Sequence, residues 1–119
     1  MATVDYFERK LDDKRRLTIP AELRAEFADG VVITKGFGEY LHMYPQAVWD
    51  NDVEPALTGS ILDERVADLN VQFREGKVQV QPDEKQGRIT LEQPLLDYAG
   101  IIRDVVAVRA GKYWRLKKA

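Results

Sequence analysis

Apolar and polar positions along this chain change period several times, and the order of the changes recurs. Val4, Tyr6 and Phe7 interleave with Asp5, Glu8, Arg9 and Lys10, which predicts a strand over residues 4–11. A polar loop at 12–16 follows, then Leu17-Thr18-Ile19, a short strand with alternating faces. Pro20 suits a first helical turn, where its missing N–H has no partner to lose. A helix is predicted over 20–27, with Leu23 and Phe27 on its buried side and Asp29-Gly30 ending it. Residues 31–34 and 40–44 flank Gly36-Phe37-Gly38 and read as a hairpin, Leu41 and Met43 sharing a face.

The next segment differs in character. Pro45 leads into a helical stretch containing Val48 and Trp49, which Pro55 and Thr58-Gly59 are expected to break. Ser60 is placed as an N-cap, with Asp63 three residues on as in a capping box. Ile61, Leu62, Val66, Leu69 and Phe73 form an apolar stripe at helical spacing, expected to pack against the rest of the domain.

The second half replays the first. Val78 and Val80 alternate with Gln79 and Gln81, and residues 82–87 form the loop. Arg88-Ile89-Thr90-Leu91 repeats Arg16-Leu17-Thr18-Ile19 position by position. A helix over 93–98 stops at Ala99-Gly100, residues 105–108 match 31–34, and 113–117 match the last strand. Trp114 and Leu116 then stand where Leu41 and Met43 stood. The chain is an internal duplication: a first repeat at 1–49, a helical linker at 50–75 and a second repeat at 76–119, joined as one compact unit. With only two copies it closes on itself rather than forming a solenoid.

Composition narrows the chemistry. The 119 residues are 45% hydrophobic, which suits one globular domain burying roughly two thirds of its unfolded surface. There is no cysteine, so disulfides and thiolate chemistry are excluded. The opening residues lack a secretory pattern, and the longest apolar runs, 31–33 and 105–108, are far too short to cross a bilayer. A cytoplasmic protein is expected. The net charge of -2 conceals segregation: residues 50–68 carry six acids against one base, and 101–119 carry six bases against one acid. A polyanion can therefore be held on one face of an acidic protein. No enzyme, metal site, cofactor or small-molecule ligand is expected. His42 is the sole histidine and sits within a strand, the acids lack calcium-loop spacing, and Gly36-Phe37-Gly38 opens no helix.

The stretch Leu11-Asp12-Asp13-Lys14-Arg15-Arg16-Leu17-Thr18-Ile19-Pro20, its second copy Lys85-Gln86-Gly87-Arg88-Ile89, and Tyr98-Ala99-Gly100 resemble the MraZ family, as do Tyr44-Pro45 and Trp49 between them. The resemblance implies two tandem AbrB-like motifs in an α+β, pseudo-two-fold swapped-hairpin β-barrel. It implies a bacterial, nucleoid-associated transcriptional regulator that binds repeated promoter boxes of a division and cell-wall gene cluster. It also implies a homo-oligomer, often a ring. The family hallmark is an Asp-x-x-x-Arg motif in each half, intact here as Asp12 and Arg16. Four departures stand out. Arg15 occupies a usual glycine, and Glu92 a usual proline. In the second copy Glu84 has the matching spacing, but strand parity suggests a one-residue insertion, so either Asp83 or Glu84 serves as the acid. Ending at Ala119, the chain also lacks the further C-terminal helix common in such proteins, which bears on ring size.

The loops carry the candidate site. Arginine offers a planar fork for phosphate or guanine, and lysine a mobile point charge. Lys14 and Arg15 at the first tip are the leading DNA contacts, with Lys85 as the second-copy counterpart. Arg16 and Arg88 have two readings, as DNA contacts or as structural partners of the acids. Arg24 is a candidate phosphate contact or a solvated surface residue. Few cations per chain mean weak binding by a monomer, so avidity favours assembly. Two rivals remain: an AbrB-type antitoxin, and a structural oligomer without DNA contact.

Overall fold

The computed structural model describes residues 4–119; the part of the N-terminal reading that rests on residues 1–3 lies outside them. The strands are β1 (Tyr6–Lys10), β2 (Arg16–Thr18), β3 (Val31–Lys35), β4 (Leu41–Pro45), β5 (Val78–Val80), β6 (Arg88–Thr90), β7 (Asp104–Ala110) and β8 (Tyr113–Lys118). Six form one antiparallel sheet in the order β1-β7-β8-β4-β3-β5, and β2 pairs with β6 in a separate ribbon. Each half gives its first strand to the other half's hairpin: β1 runs beside β7, and β5 beside β3. This exchange is the swapped-hairpin arrangement in an α+β fold.

The order is a palindrome of equivalents, with a pseudo-two-fold axis between β4 and β8. His42 faces Arg115 there, flanked by Leu41↔Leu116 and Met43↔Trp114. In the ribbon the centre is Leu17↔Ile89. Strand alternation sends Leu41, Met43, Trp114 and Leu116 into the same buried cluster as Leu17, Ile19, Ile89 and Leu91. Burying one such aliphatic side chain contributes about 1.5–3 kcal/mol, so the apolar centre of the ribbon anchors the loops that flank it.

The helical expectations need correction in four places. Residues 20–27 do not form an α-helix: a 3-10 turn covers Ala21–Leu23, and turns continue toward Gly30. So short a segment gains little from helix propagation, and turns bury Leu23 and Phe27 equally well. Second, Pro55 does not break the helical stretch. Helix α1 (Gln46–Val48) passes through a π-helical stretch (Trp49–Val53) into α2 (Glu54–Ala56). The wider turn immediately before Pro55 accommodates its ring and missing donor.

Third, the N-cap of α3 (Glu64–Arg74) is Asp63, whose carboxylate accepts from the Arg65 N–H. Ser60 instead closes the preceding turn, its hydroxyl accepting from Leu62 N–H and its carbonyl from Asp63 N–H. Fourth, the apolar stripe is split. Phe73 is buried, but Ile61 and Leu62 are 95% and 88% exposed because they precede α3 in that turn.

A second apolar cluster joins Val32, Tyr44, Trp49, Leu57 and Phe73, holding α1, α2 and α3 to the outer face of the sheet. Polar bonds fix it. Asn70 Nδ2 donates to the Leu57 and Val66 carbonyls, and Glu54 accepts from Trp49 Nε1 and Arg74. The final helix, α4 (Gln93–Ala99), runs as expected and ends on Gly100 in the left-handed region.

Candidate nucleic-acid interface

The two loops meet on either side of the β2–β6 ribbon, and their hydrogen bonds obey its pseudo-symmetry. Beyond the strands, Ile19 N–H donates to the Gly87 carbonyl at 2.9 Å and Leu91 N–H to the Arg15 carbonyl at 2.8 Å. Arg15 is thereby equivalent to Gly87, and Arg16 to Arg88. Both positions before the arginine are left-handed, Arg15 at φ 60° and Gly87 at φ 65°. Among the described residues Arg15 is the one non-glycine with positive φ. A side chain there costs about 1–2 kcal/mol relative to right-handed backbone.

Each loop is closed by an aspartate. Asp12 Oδ1 accepts from the N–H groups of Lys14 (2.9 Å) and Arg16 (2.8 Å), and Oδ2 accepts from Arg16 Nε at 2.6 Å. Asp83 Oδ2 accepts from Gln86 N–H at 3.1 Å, and Oδ1 from Arg88 N–H at 2.6 Å and Arg88 Nε at 3.3 Å. The backbone repeats the pattern: Asp12 N–H donates to Arg16 O, and Asp83 N–H to Arg88 O. The acid of the second loop is therefore Asp83, not Glu84, and the extra residue lies inside the loop. It follows that Lys14 corresponds to Gln86, while Lys85 stands in the inserted turn.

These bonds set the acidity. Partial desolvation works to raise the Asp12 carboxyl, but the Arg16 N–H, its guanidinium and the Lys14 N–H outweigh it and hold the pKa below the ordinary aspartate value. The Arg88 N–H is the largest influence on Asp83, which is pulled down to about 2, with partial desolvation opposing and Gln86 N–H assisting. Arg16 and Arg88 are half-buried and committed to these carboxylates. Lys14 and Arg15 project into solvent, as do Glu84 and Lys85.

Arg24 lies on the turn after β2 and not on a helix. It reaches the second loop, Nη2 donating to the Gln86 carbonyl at 2.9 Å. A Cβ on Gly87 would fall 2.7 Å from Arg24 Nε, so the glycine makes room for this side chain. Sequence reasoning missed Arg103 and Ile102, which line a cleft with Leu11, Asp12, Asp13 and Arg15. Ile102 is 94% exposed, and Arg103 is exposed beside it. In the sequence Arg103 is only one of the bases of 101–119; the exchange of β1 onto β7, with Leu11 N–H bonded to Arg103 O, brings it to the first loop.

Residues 5–60 match a family model described as "MraZ protein, putative antitoxin-like". A Frankia alni protein named Transcriptional regulator MraZ is 40% identical over 97 residues, covering 82% of this chain and 67% of the relative. The chain belongs to the MraZ family. A Kineococcus radiotolerans MraZ, also named a transcriptional regulator, is 35% identical over 111 residues, covering 91% of this chain and 77% of its own. So long an alignment necessarily contains both loops. The MraZ model match itself ends before the second repeat, where Asp83 carries the inserted residue. Among the described residues no helix is long and apolar enough to cross a membrane.

Proposed function

We propose that this MraZ-family chain binds double-stranded DNA through the tips of its loops and regulates transcription as a cytoplasmic, nucleoid-associated homo-oligomer. The observation that carries the reading is Arg15. An arginine stands at a left-handed position where its pseudo-symmetric mate is glycine, and its side chain is exposed beside Lys14 and Arg103. Backbone strain under an exposed cation favours a role in contact over a role in stability. Lys14, Arg15 and Arg103 touch phosphates or guanine edges, and Ile102 meets apolar base surface such as a thymine methyl. Lys85 serves the second loop. Asp12 and Asp83 shape the loops through Arg16 and Arg88, and Arg24 positions the second loop from outside it.

The repeats at 1–49 and 76–119 form two unequal reading heads, with 50–75 as a cover on the sheet. A few cations per chain give weak binding singly, so an oligomer, ring-shaped in this reading, presents several heads to repeated promoter boxes of a division and cell-wall cluster. The test is binding to the DNA upstream of the chain's own operon as salt is raised. Replacing Lys14 and Arg15 by alanine lowers the log–log salt slope by about 2 per engaged loop, at roughly 0.9 for each phosphate contact. An unchanged affinity and slope removes the loops from the interface. An antitoxin reading is favoured by the wording of the family description alone. An antitoxin's basic loops also touch DNA, but it requires a toxin-binding tail, so regulation of the operon by the chain with no second protein bound sets that reading aside. No DNA binding at all leaves the structural oligomer.

A further inference from the structure

On the outer face of the sheet, away from the core, β4 and β8 form the floor of a cavity of about 530 Å³. Tyr113, Tyr44 and His42 rise from the strands, Phe73 from α3, and Phe37 closes one side from the hairpin loop. Val53 and Leu57, from the helical stretch after β4, complete the wall. The volume is that of a small-molecule site, and the lining is predominantly apolar.

His42 is the anomaly in this lining. The residue is 1% exposed, surrounded by Phe37, Tyr40, Tyr44, Phe73 and Tyr113 rings with centroids 4.8–5.7 Å away. Its Nδ1 shares a 2.7 Å hydrogen bond with the Tyr44 hydroxyl. Its Nε2 is buried with no partner. A buried polar atom left unpaired is costly, and native proteins retain few of them. The ring is neutral at physiological pH, so Nε2 offers a single hydrogen bond, in whichever sense the Tyr44 bond leaves to it. At the rim, Asp52 and Lys112 pair with each other at 3.2 Å, leaving no unmatched charge among the lining residues.

We propose that this cavity binds an uncharged, largely apolar small molecule carrying one hydrogen-bonding group, which lies among the aromatic rings and satisfies His42 Nε2. A free molecule fits better than a protein partner, because His42 is among the residues lining a cavity of small-molecule size. Its Nε2 is covered by the surrounding rings, so that only a group small enough to pass between them reaches it. Bound there, the molecule bridges the sheet to α3 and the helical stretch after β4, and so tightens the cover formed by residues 50–75.

The sole histidine makes the test direct. The full chain, labelled with ¹⁵N-histidine, is titrated with 2-naphthol and with naphthalene, which share a ring system but differ in the hydroxyl. Saturable movement of the Nε2 resonance by 2-naphthol is expected, with naphthalene binding about three- to tenfold more weakly, the worth of one neutral hydrogen bond. In His42→Phe, followed by tyrosine ring signals, the two probes bind equally. Should that variant fail to fold, Val53→Phe keeps His42, fills the cavity and abolishes the Nε2 response. Equal binding of both probes to the unaltered chain, or no saturable shift, overturns the proposal. So does an Nε2 shift that follows protein concentration without probe, since a second copy then occupies the cavity.

Discussion

Lowering the pH from 7 to 5 isolates the His42 environment, because no other side chain of the histidine class is present. Burial first, and then the Arg115 charge, push its pKa from 6.5 down to about 4. Between those values the unfolded chain binds a proton that the folded chain refuses, so stability falls as pH falls. Over the full interval the loss is on the order of 3 kcal/mol, and about 2 kcal/mol of it arrives between pH 7 and pH 5. The loss levels off once pH drops through the folded-state value. The carboxylates with lowered pKa, Asp12, Glu54 and Asp83, lose their contribution only in more acidic solution. Urea unfolding at fixed protein concentration, at pH 7, 6 and 5, measures the effect. His42→Phe keeps an apolar ring in place and has a midpoint that is flat over this range, whatever its absolute stability. A wild-type midpoint equally flat, or a decline that persists in His42→Phe, refutes the buried neutral imidazole and the orphaned Nε2 with it.

Arg15→Gly places the preferred residue at φ 60° and raises unfolding stability by about 1 kcal/mol, while weakening binding to the operon DNA; a variant that loses stability contradicts the strain. Asp83→Ala frees the N–H groups of Gln86 and Arg88 to exchange rapidly with solvent, whereas Glu84→Ala leaves them protected, as amide exchange will record. The depressed Asp83 pKa also implies stability that is present above the ordinary aspartate value and lost as pH falls through about 2, a limb absent in Asp83→Asn. A fragment of residues 1–75 lacks the β7 partner of β1, the β6 partner of β2 and the β8 partner of β4. It should give a disordered circular dichroism spectrum on its own; a cooperatively folded fragment would show that the repeats are separable.

The strands were legible because alternation has a two-residue period and the duplication supplied an independent copy of it. Leu41, Met43, Trp114 and Leu116 meet across the axis as the repeat alignment implies. Strand exchange cannot be read from periodicity, since Phe7 fits an inward position against either hairpin; it came from the family resemblance. Two of the four helical errors have a shared cause. Apolar spacing shows which residues want burial, not which backbone delivers it, so Leu23 and Phe27 are buried from turns while Ile61 and Leu62 are left outside. Strand parity detected the inserted residue of the second loop, but only hydrogen bonds could choose Asp83 over Glu84. Arg103 and the His42 cavity were hidden because each joins segments distant in sequence.

The two loops share a frame, and their difference at one position has consequences for the proposed interface. At Gly87 the missing side chain admits Arg24, which bonds the Gln86 carbonyl and braces the second loop; Lys85 is then its exposed cation, beside Glu84. At Arg15 the side chain itself fills the equivalent position. Among the described residues no arginine side chain from outside the first loop is hydrogen-bonded to it as Arg24 is to the second. The first head thus gains Arg15 at the cost of backbone strain and adds Lys14 and Arg103, offset by Asp13. Alanine at Lys14 therefore weakens operon binding more than alanine at Lys85, in a fluorescence-anisotropy titration at one salt concentration. Equal losses would mean that the loops contribute alike and that the asymmetry at Arg15 and Gly87 has no bearing on DNA.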